Sequence, residues 1–172
     1  VGRISACLED DCQNFILQIL VRTLAAMRAV VEPMSQEEVY EALQSESIDG
    51  WESNETDCMF LKISETGAIY FTYTRHISVP DVLVVSKIWF DSFSPEMQNA
   101  IQKAARLTVK HQRMLWEDFV QEIISQLQST GMKFEIIDRE PFYEAVQPVY
   151  AEMYEELGPE SEEVVQAIMA IK

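Results

Sequence analysis

Few side chains in this sequence have the chemistry to attack or grip a small molecule. The two histidines, His76 and His111, lie far apart on different predicted elements, and the three cysteines are Cys7, Cys12 and Cys58. A thiol beside an imidazole is the minimum for nucleophilic catalysis, so Cys58 with His76, or Cys7 with His76, are the pairs to weigh. No G-x-S-x-G elbow, Walker loop, G-x-G-x-x-G turn or H-E-x-x-H helix accompanies them. C-x4-C is not a zinc spacing, and an odd cysteine count cannot close a complete disulfide framework; free thiols and a Cys7–Cys12 bridge both stay open. His76, at the end of a predicted strand, reads either as a cleft residue or as a satisfied structural histidine. Trp51, between Asp49 and Glu52, reads either as a stacking surface or as packing under a loop. Strand alternation places Arg75 opposite Thr74 and His76, so one face at most serves a site.

Charge narrows the partners. With 29 Asp and Glu against 13 Lys and Arg, the formal net charge is −16, which repels phosphate backbones and anionic lipid headgroups and argues against nucleic-acid binding. At 172 residues, 48% hydrophobic and 24% charged, the chain has the balance of one globular α/β domain able to bury a core. The apolar window from Phe15 to Val31 carries Arg22 and Arg28 and is short for a bilayer span, so it reads as a buried helix. No leader segment is visible, and the chain opens at Val1, which reads as a processed or shortened sequence.

The elements that must position these residues follow from periodicity and caps. Gly2 to Leu8 reads as a strand, and Glu9, Asp10 and Asp11 as the start of a helix running to about Arg28. Pro33 stops that run, and Ser35 caps a second helix over Gln36 to Gln44. Trp51 to Asp57 reads as loop, and Met59 to Ser64 fits strand or helix equally. Ala68 to His76 is the clearest strand. Val79 to Ser86 reads as another strand, its continuous apolar run suited to cover on both faces. Ser94-Pro95-Glu96 opens a helix expected to reach about Ser129, with Gly131 as its left-handed terminator. Met97, Ile101, Ala104, Leu107, Leu115, Phe119, Ile123 and Leu127 form its apolar stripe; Met114, Trp89 and Trp116 read as core or inter-lobe packing. Such a helix exceeds about 50 Å, longer than one small lobe is wide. A strand over Lys133 to Ile137, a helix from Glu140 to Leu157 and a last helix after Gly158-Pro159 complete the chain. Strands alternating with helices predict an α/β fold with a parallel or mixed sheet.

Several segments fall in the order of a known family. Pro33-Met34 followed by Glu38-Val39-Tyr40-Glu41-Ala42-Leu43 matches PM-x-x-x-EVY-x-AL. Ile48-Asp49-Gly50-Trp51-Glu52 matches VDGQE, Thr74-Arg75-His76 matches T-x-H, and Pro80 to Ser86, Ser94-Pro95 and Gln147-Pro148-Val149-Tyr150 follow in register. From about Pro33 to its end the chain resembles the C-terminal half of TRAP-transporter (tripartite ATP-independent periplasmic) solute-binding proteins of the DctP type. The resemblance implies two α/β lobes of the type II periplasmic-binding-protein kind, hinged around a cleft and braced by a long helix. This chain then corresponds to the second lobe, the brace and the C-terminal helices.

That resemblance also implies a function: periplasmic capture of a small organic acid, held by a basic residue and passed to a membrane permease, with no catalysis and no cofactor. A buried carboxylate needs a paired cation and hydrogen bonds. The family's arginine lies in a K-x-R-V-P strand; here Gly2-Arg3-Ile4-Ser5-Ala6 puts Ser5 at that position and leaves Arg3 as the displaced cation. Gln36 stands where an aromatic lines the cleft, Ser53 where the family has Asn, with Asn54 next, and Arg28 where it has Gly. The ligand-binding residues expected from the resemblance are therefore Arg3, Gln36, Trp51, Ser53, Asn54 and His76. Two other classes stay open: an interaction module of this fold that has lost its ligand and self-associates as a homodimer, and a small Cys–His enzyme.

Overall fold

The computed structural model of the chain describes residues 2–8, 15–78 and 80–171. Its first unit is a parallel three-stranded sheet in the order β2-β1-β3, built from β1 (Arg3–Leu8), β2 (Val30–Ser35) and β3 (Gly50–Glu52). Helix α1 (Phe15–Ala26) connects β1 to β2, and α2 (Gln36–Gln44) connects β2 to β3 on the far side of β1. Right-handed crossovers in these two opposite directions put the helices on opposite faces of the sheet. The packing agrees. Ile4 and Val31 meet Leu20 and Leu24 of α1, whereas Trp51 meets the cluster that holds Val39 and Leu43 of α2. The expected helix start at Glu9, Asp10 and Asp11, and the Cys7–Cys12 bridge, lie outside the described residues.

Each turn of this unit has a local cause. Helix α1 ends at Arg28, whose φ of 71° is left-handed; Arg28 N–H bonds Ala25 O at 2.9 Å and Ala29 N–H bonds Leu24 O at 3.1 Å. This double bond pattern closes a helix best with glycine. An L-residue there is strained, so Arg28→Gly is expected to stabilise the chain by about 0.5–1 kcal/mol, read as a higher urea midpoint at constant m. Helix α2 begins where Glu38 Oε2 accepts from the Ser35 amide at 2.9 Å and the Ser35 hydroxyl at 2.7 Å. Those two bonds, the hydroxyl's first, hold the Glu38 carboxyl below its ordinary range. Pro33 does not stop the chain as expected but sits within β2, an edge strand, where its missing N–H leaves no ladder gap on the solvent side.

The segment read as loop after Trp51 is instead β3 and α3 (Glu55–Phe60), the ambiguous stretch resolving as helix and a short 3-10 turn, Ile63–Glu65. The strand expected over Ala68 to His76 shortens to β4 (Tyr70–Tyr73), which pairs in parallel with β5 (Lys133–Ile136). Phe71 stacks on Phe134 with ring centroids 5.1 Å apart.

Of the second expected strand, Val79 to Ser86, Val79 lies outside the described residues, and Pro80 to Ser86 form no strand. Among the described residues no strand pairs with it, and its apolar run faces outward, with Val84 80% exposed. A short helix, α4 (Lys87–Asp91), follows, then α5 (Pro95–Ser129), α6 (Glu140–Leu157) and α7 (Pro159–Met169). Helix α5 has 35 residues, yet only Ile123 and Leu127 of its stripe are buried. These two join Val39, Leu43, Ile48, Cys58, Ile63 and Met132 in the main core. Before these two residues, Met97, Leu107, Met114, Leu115, Trp116 and Phe119 are exposed.

Candidate functional site

In an open parallel sheet, ligands sit outside the carboxyl ends of strands where the chain order reverses direction. The order β2-β1-β3 places that reversal at β1 and β3. Ser53 and Asn54 leave β3 at that end. Beside them a cavity of about 520 Å³ opens between the free edge of β3 and the free edge of β4. A space of this size suits a ligand of sugar-acid dimensions.

Four of the six residues expected at a site line this cavity: Trp51, Ser53, Asn54 and His76. Arg3 and Gln36 do not. The Arg3 side chain bonds the Glu46 carbonyl at 2.9 Å and approaches Asp49 at 3.5 Å, while its backbone N–H donates to Asp49 Oδ2 at 2.6 Å. Parallel pairing of β1 with β3 brings Asp49 beside Arg3, and the backbone bond, followed by the arginine side chain, depresses the Asp49 carboxyl. Gln36 is the half-buried first residue of α2 and lines neither of the two cavities described here.

The lining residues divide by what their polar atoms already do. Asn54 Oδ1 accepts from the Asp57 amide at 3.0 Å and from the Thr56 hydroxyl, capping α3. Asp57 in turn accepts from Ser53 Oγ at 2.7 Å and Asn54 Nδ2 at 2.9 Å. These two residues build the corner. Trp51 and His76 have capacity left: Trp51 Nε1 and His76 Nε2 are buried with no hydrogen-bond partner. Trp51 packs against the main core as well as lining the cavity.

His76 is held by a 2.7 Å hydrogen bond between its Nδ1 and Thr74 Oγ1. Its Nε2 lies 3.5 Å from Glu52 Oε1, and both side chains are nearly enclosed, at 11% and 13% exposure. Among the residues lining the cavity there is no lysine or arginine. Glu52 and Thr74 extend the lining beyond the six expected. Ser5, at the position the resemblance gives to arginine, does not line the cavity; it is fully buried with an unpartnered Oγ and pairs in register with Trp51.

A Cys58–His76 nucleophile is disfavoured by the same geometry; the Cys7 side chain lies outside the described residues. Cys58 lines the cavity, but its Sγ faces Met132 Sδ at 3.7 Å. Burial first, then Glu55 and Asp57, push its thiol up to about 11, the reverse of an activated thiolate. Tyr73 is likewise raised, by burial and then by its hydrogen bond to Glu55.

Comparison with known proteins is consistent across sequence and structure. The family model for bacterial extracellular solute-binding protein, family 7, matches residues 16–157. A solute-binding protein of Chromohalobacter salexigens is 31% identical over 169 residues, covering 92% of this chain and 48% of that protein. The sialic acid-binding periplasmic protein SiaP of Vibrio cholerae is 30% identical over 126 residues, covering 73% of this chain and 39% of its own length. A crystal structure of a TRAP periplasmic solute-binding protein from Xanthobacter autotrophicus, with bound β-D-galacturonate, superposes with a TM-score of 0.76 at 30% identity. It matches 99% of this chain and 54% of that one. Another from Chromohalobacter salexigens, with bound D-glucuronate, gives 0.79 at 29% identity, over 97% and 52%. The fold is accordingly the α/β fold of periplasmic binding proteins. The chain spans about half the length of the curated relatives it matches.

Proposed function

The chain belongs to bacterial extracellular solute-binding protein family 7, and from that premise we propose that it captures a small polyhydroxylated acid for a TRAP-type transporter. The reading is that of a binding subunit, working in the periplasm and delivering its solute to a membrane permease without chemical change. The carrying observation is the cavity between β3 and β4, where Trp51 Nε1 and His76 Nε2 are buried and unpartnered. Burying such groups without partners costs about 1–3 kcal/mol each, a cost that a ligand acceptor removes. A ligand carboxylate would accept from the indole N–H and from a His76 ring that carries a proton on Nε2, in place of the guanidinium that the family resemblance implies. Glu52, at the same wall, offers an acceptor for sugar hydroxyls. Relatives and neighbours that carry a ligand in their names bind uronates, sialic acid, 2,3-diketo-L-gulonate and C4-dicarboxylates; all are acids, and the first three have a hydroxylated body.

The test is a thermal-shift titration with D-glucuronate, D-galacturonate, sialic acid and succinate, against D-glucose and alanine. The hexuronates should raise the midpoint in proportion to the logarithm of concentration above Kd, as linkage requires. Glucose should leave it unchanged. A chain that responds to no acid, or equally to glucose, contradicts the proposal.

One observation favours a second reading, self-association. Val82 to Val85, Ile88, Trp89 and the stripe of α5 present exposed apolar side chains on consecutive segments. Contiguous exposed apolar surface marks interaction sites. Light scattering that gives a stable dimer, together with no response to any acid, would move the assignment to an interaction module.

A further inference from the structure

A second cavity, of about 460 Å³, lies between α1, α6 and the end of β4. We propose that it is a separate ligand site, taking a small carboxylate whose body is aromatic or branched and apolar. Its walls differ in kind from those of the β3–β4 cavity. Ile19, Met27, Phe142, Val146 and Met153 supply apolar surface, while Arg75 and Arg139 bring two guanidinium groups to its rim. Among the described residues neither arginine is ion-paired with a carboxylate. Glu140 is the one acidic residue in the lining, so the arginines leave it locally positive in a chain of net charge −16. Unpaired guanidinium groups beside an enclosed apolar wall select a planar anion with a hydrophobic tail, and disfavour a hydroxylated ring.

The space is built by the fold. Arg22 of α1 bonds Glu156 of α6 at 2.6 Å and lies 3.7 Å from Glu152, clamping the two helices whose facing surfaces form the cavity. Arg75 is presented by a left-handed backbone, φ 49°, directly after Thr74. Such a conformation costs an L-residue free energy and persists where surrounding structure fixes it. Thr74 and His76, on either side of Arg75, line both cavities, so the end of β4 is the wall between them.

The experiment is a calorimetric titration of the full chain with phenylacetate, alone and after saturation with D-glucuronate. Phenylacetate should bind saturably in about the millimolar range or tighter, with one site. Arg75→Gln/Arg139→Gln should weaken phenylacetate by at least about tenfold, the scale of a lost charged hydrogen bond, and leave the D-glucuronate response intact. Thr23→Phe, which fills the cavity without touching either arginine, should abolish phenylacetate binding as well. Absence of saturable phenylacetate binding overturns the proposal, as does binding that survives both variants. Complete competition by D-glucuronate would place the two acids in one site and also overturn it. Failure of D-glucuronate alone to bind bears only on the β3–β4 cavity.

Discussion

Leu127→Ala is expected to destabilise the chain by about 2–5 kcal/mol, the range for removing a fully enclosed leucine and leaving a cavity. Leu127 is 0% exposed, at the centre of the cluster that joins α2, α3 and the end of α5. The same substitution at two positions earlier in α5 gives the control. Leu107 and Leu115 are 58% and 55% exposed, so Leu107→Ala and Leu115→Ala should each change stability by less than about 0.5 kcal/mol. Urea unfolding measures all three, with an altered midpoint and an unaltered slope marking a pure stability change. The contrast locates the anchor of α5 in its last two turns. Losses at Leu107 or Leu115 equal to that at Leu127 would mean that the free stripe is covered in solution, as the self-association reading requires.

Trp51→Phe and His76→Ala are expected to weaken uronate binding by roughly 10–100-fold each, corresponding to about 1.5–3 kcal/mol for a hydrogen bond to a charged group. Trp51→Phe keeps most of the ring that packs against the core while deleting Nε1–H, so the loss reads the hydrogen bond more than the packing. His76→Gln refines the second case by restoring an N–H donor at that position, and should recover part of the affinity lost in His76→Ala. Titration calorimetry at constant ionic strength reads each value. Unchanged affinity in both variants would remove the β3–β4 cavity from the account.

Much of the helical structure was legible because its boundaries carry their own chemistry. Ser35 with Glu38 marks α2, Ser94-Pro95-Glu96 and Gly131 bracket α5, and Gly158-Pro159 divides α6 from α7. The strands were harder. β2 contains Pro33 and reads as a break until its place at a sheet edge is known, and β3 has three residues, too few for a period. The run from Val82 to Val85 looked like a strand buried on both faces. Its composition calls for cover, but that cover does not come from the described residues.

The site was legible in part for the same reason. Trp51, Ser53 and Asn54 are adjacent in sequence, and His76 marks the end of β4, so local order sufficed to bring them to one cavity. The fate of Arg3 depended on parallel pairing with a strand 46 residues away, which sets Asp49 against it. No local pattern encodes that contact. Strand alternation set Arg75 opposite Thr74 and His76, but β4 ends at Tyr73 and Arg75 is left-handed, so all three line one cavity. Arg139 was not singled out, since that cavity is formed by α1 and α6, which are clamped across 134 residues by Arg22 and Glu156.

The claim that an acid enters between β3 and β4 can be tested on one atom. Trp51, Trp89 and Trp116 are the three tryptophans of the chain, and their indole N–H groups give separate signals in a nitrogen–proton correlation spectrum. Trp51 lines the cavity, whereas Trp89 and Trp116 are among the exposed apolar side chains. On titration with D-glucuronate, the Trp51 indole signal should move saturably while those of Trp89 and Trp116 stay fixed. A Trp51 signal that does not move at saturating acid, or movement confined to Trp89 and Trp116, would contradict the account.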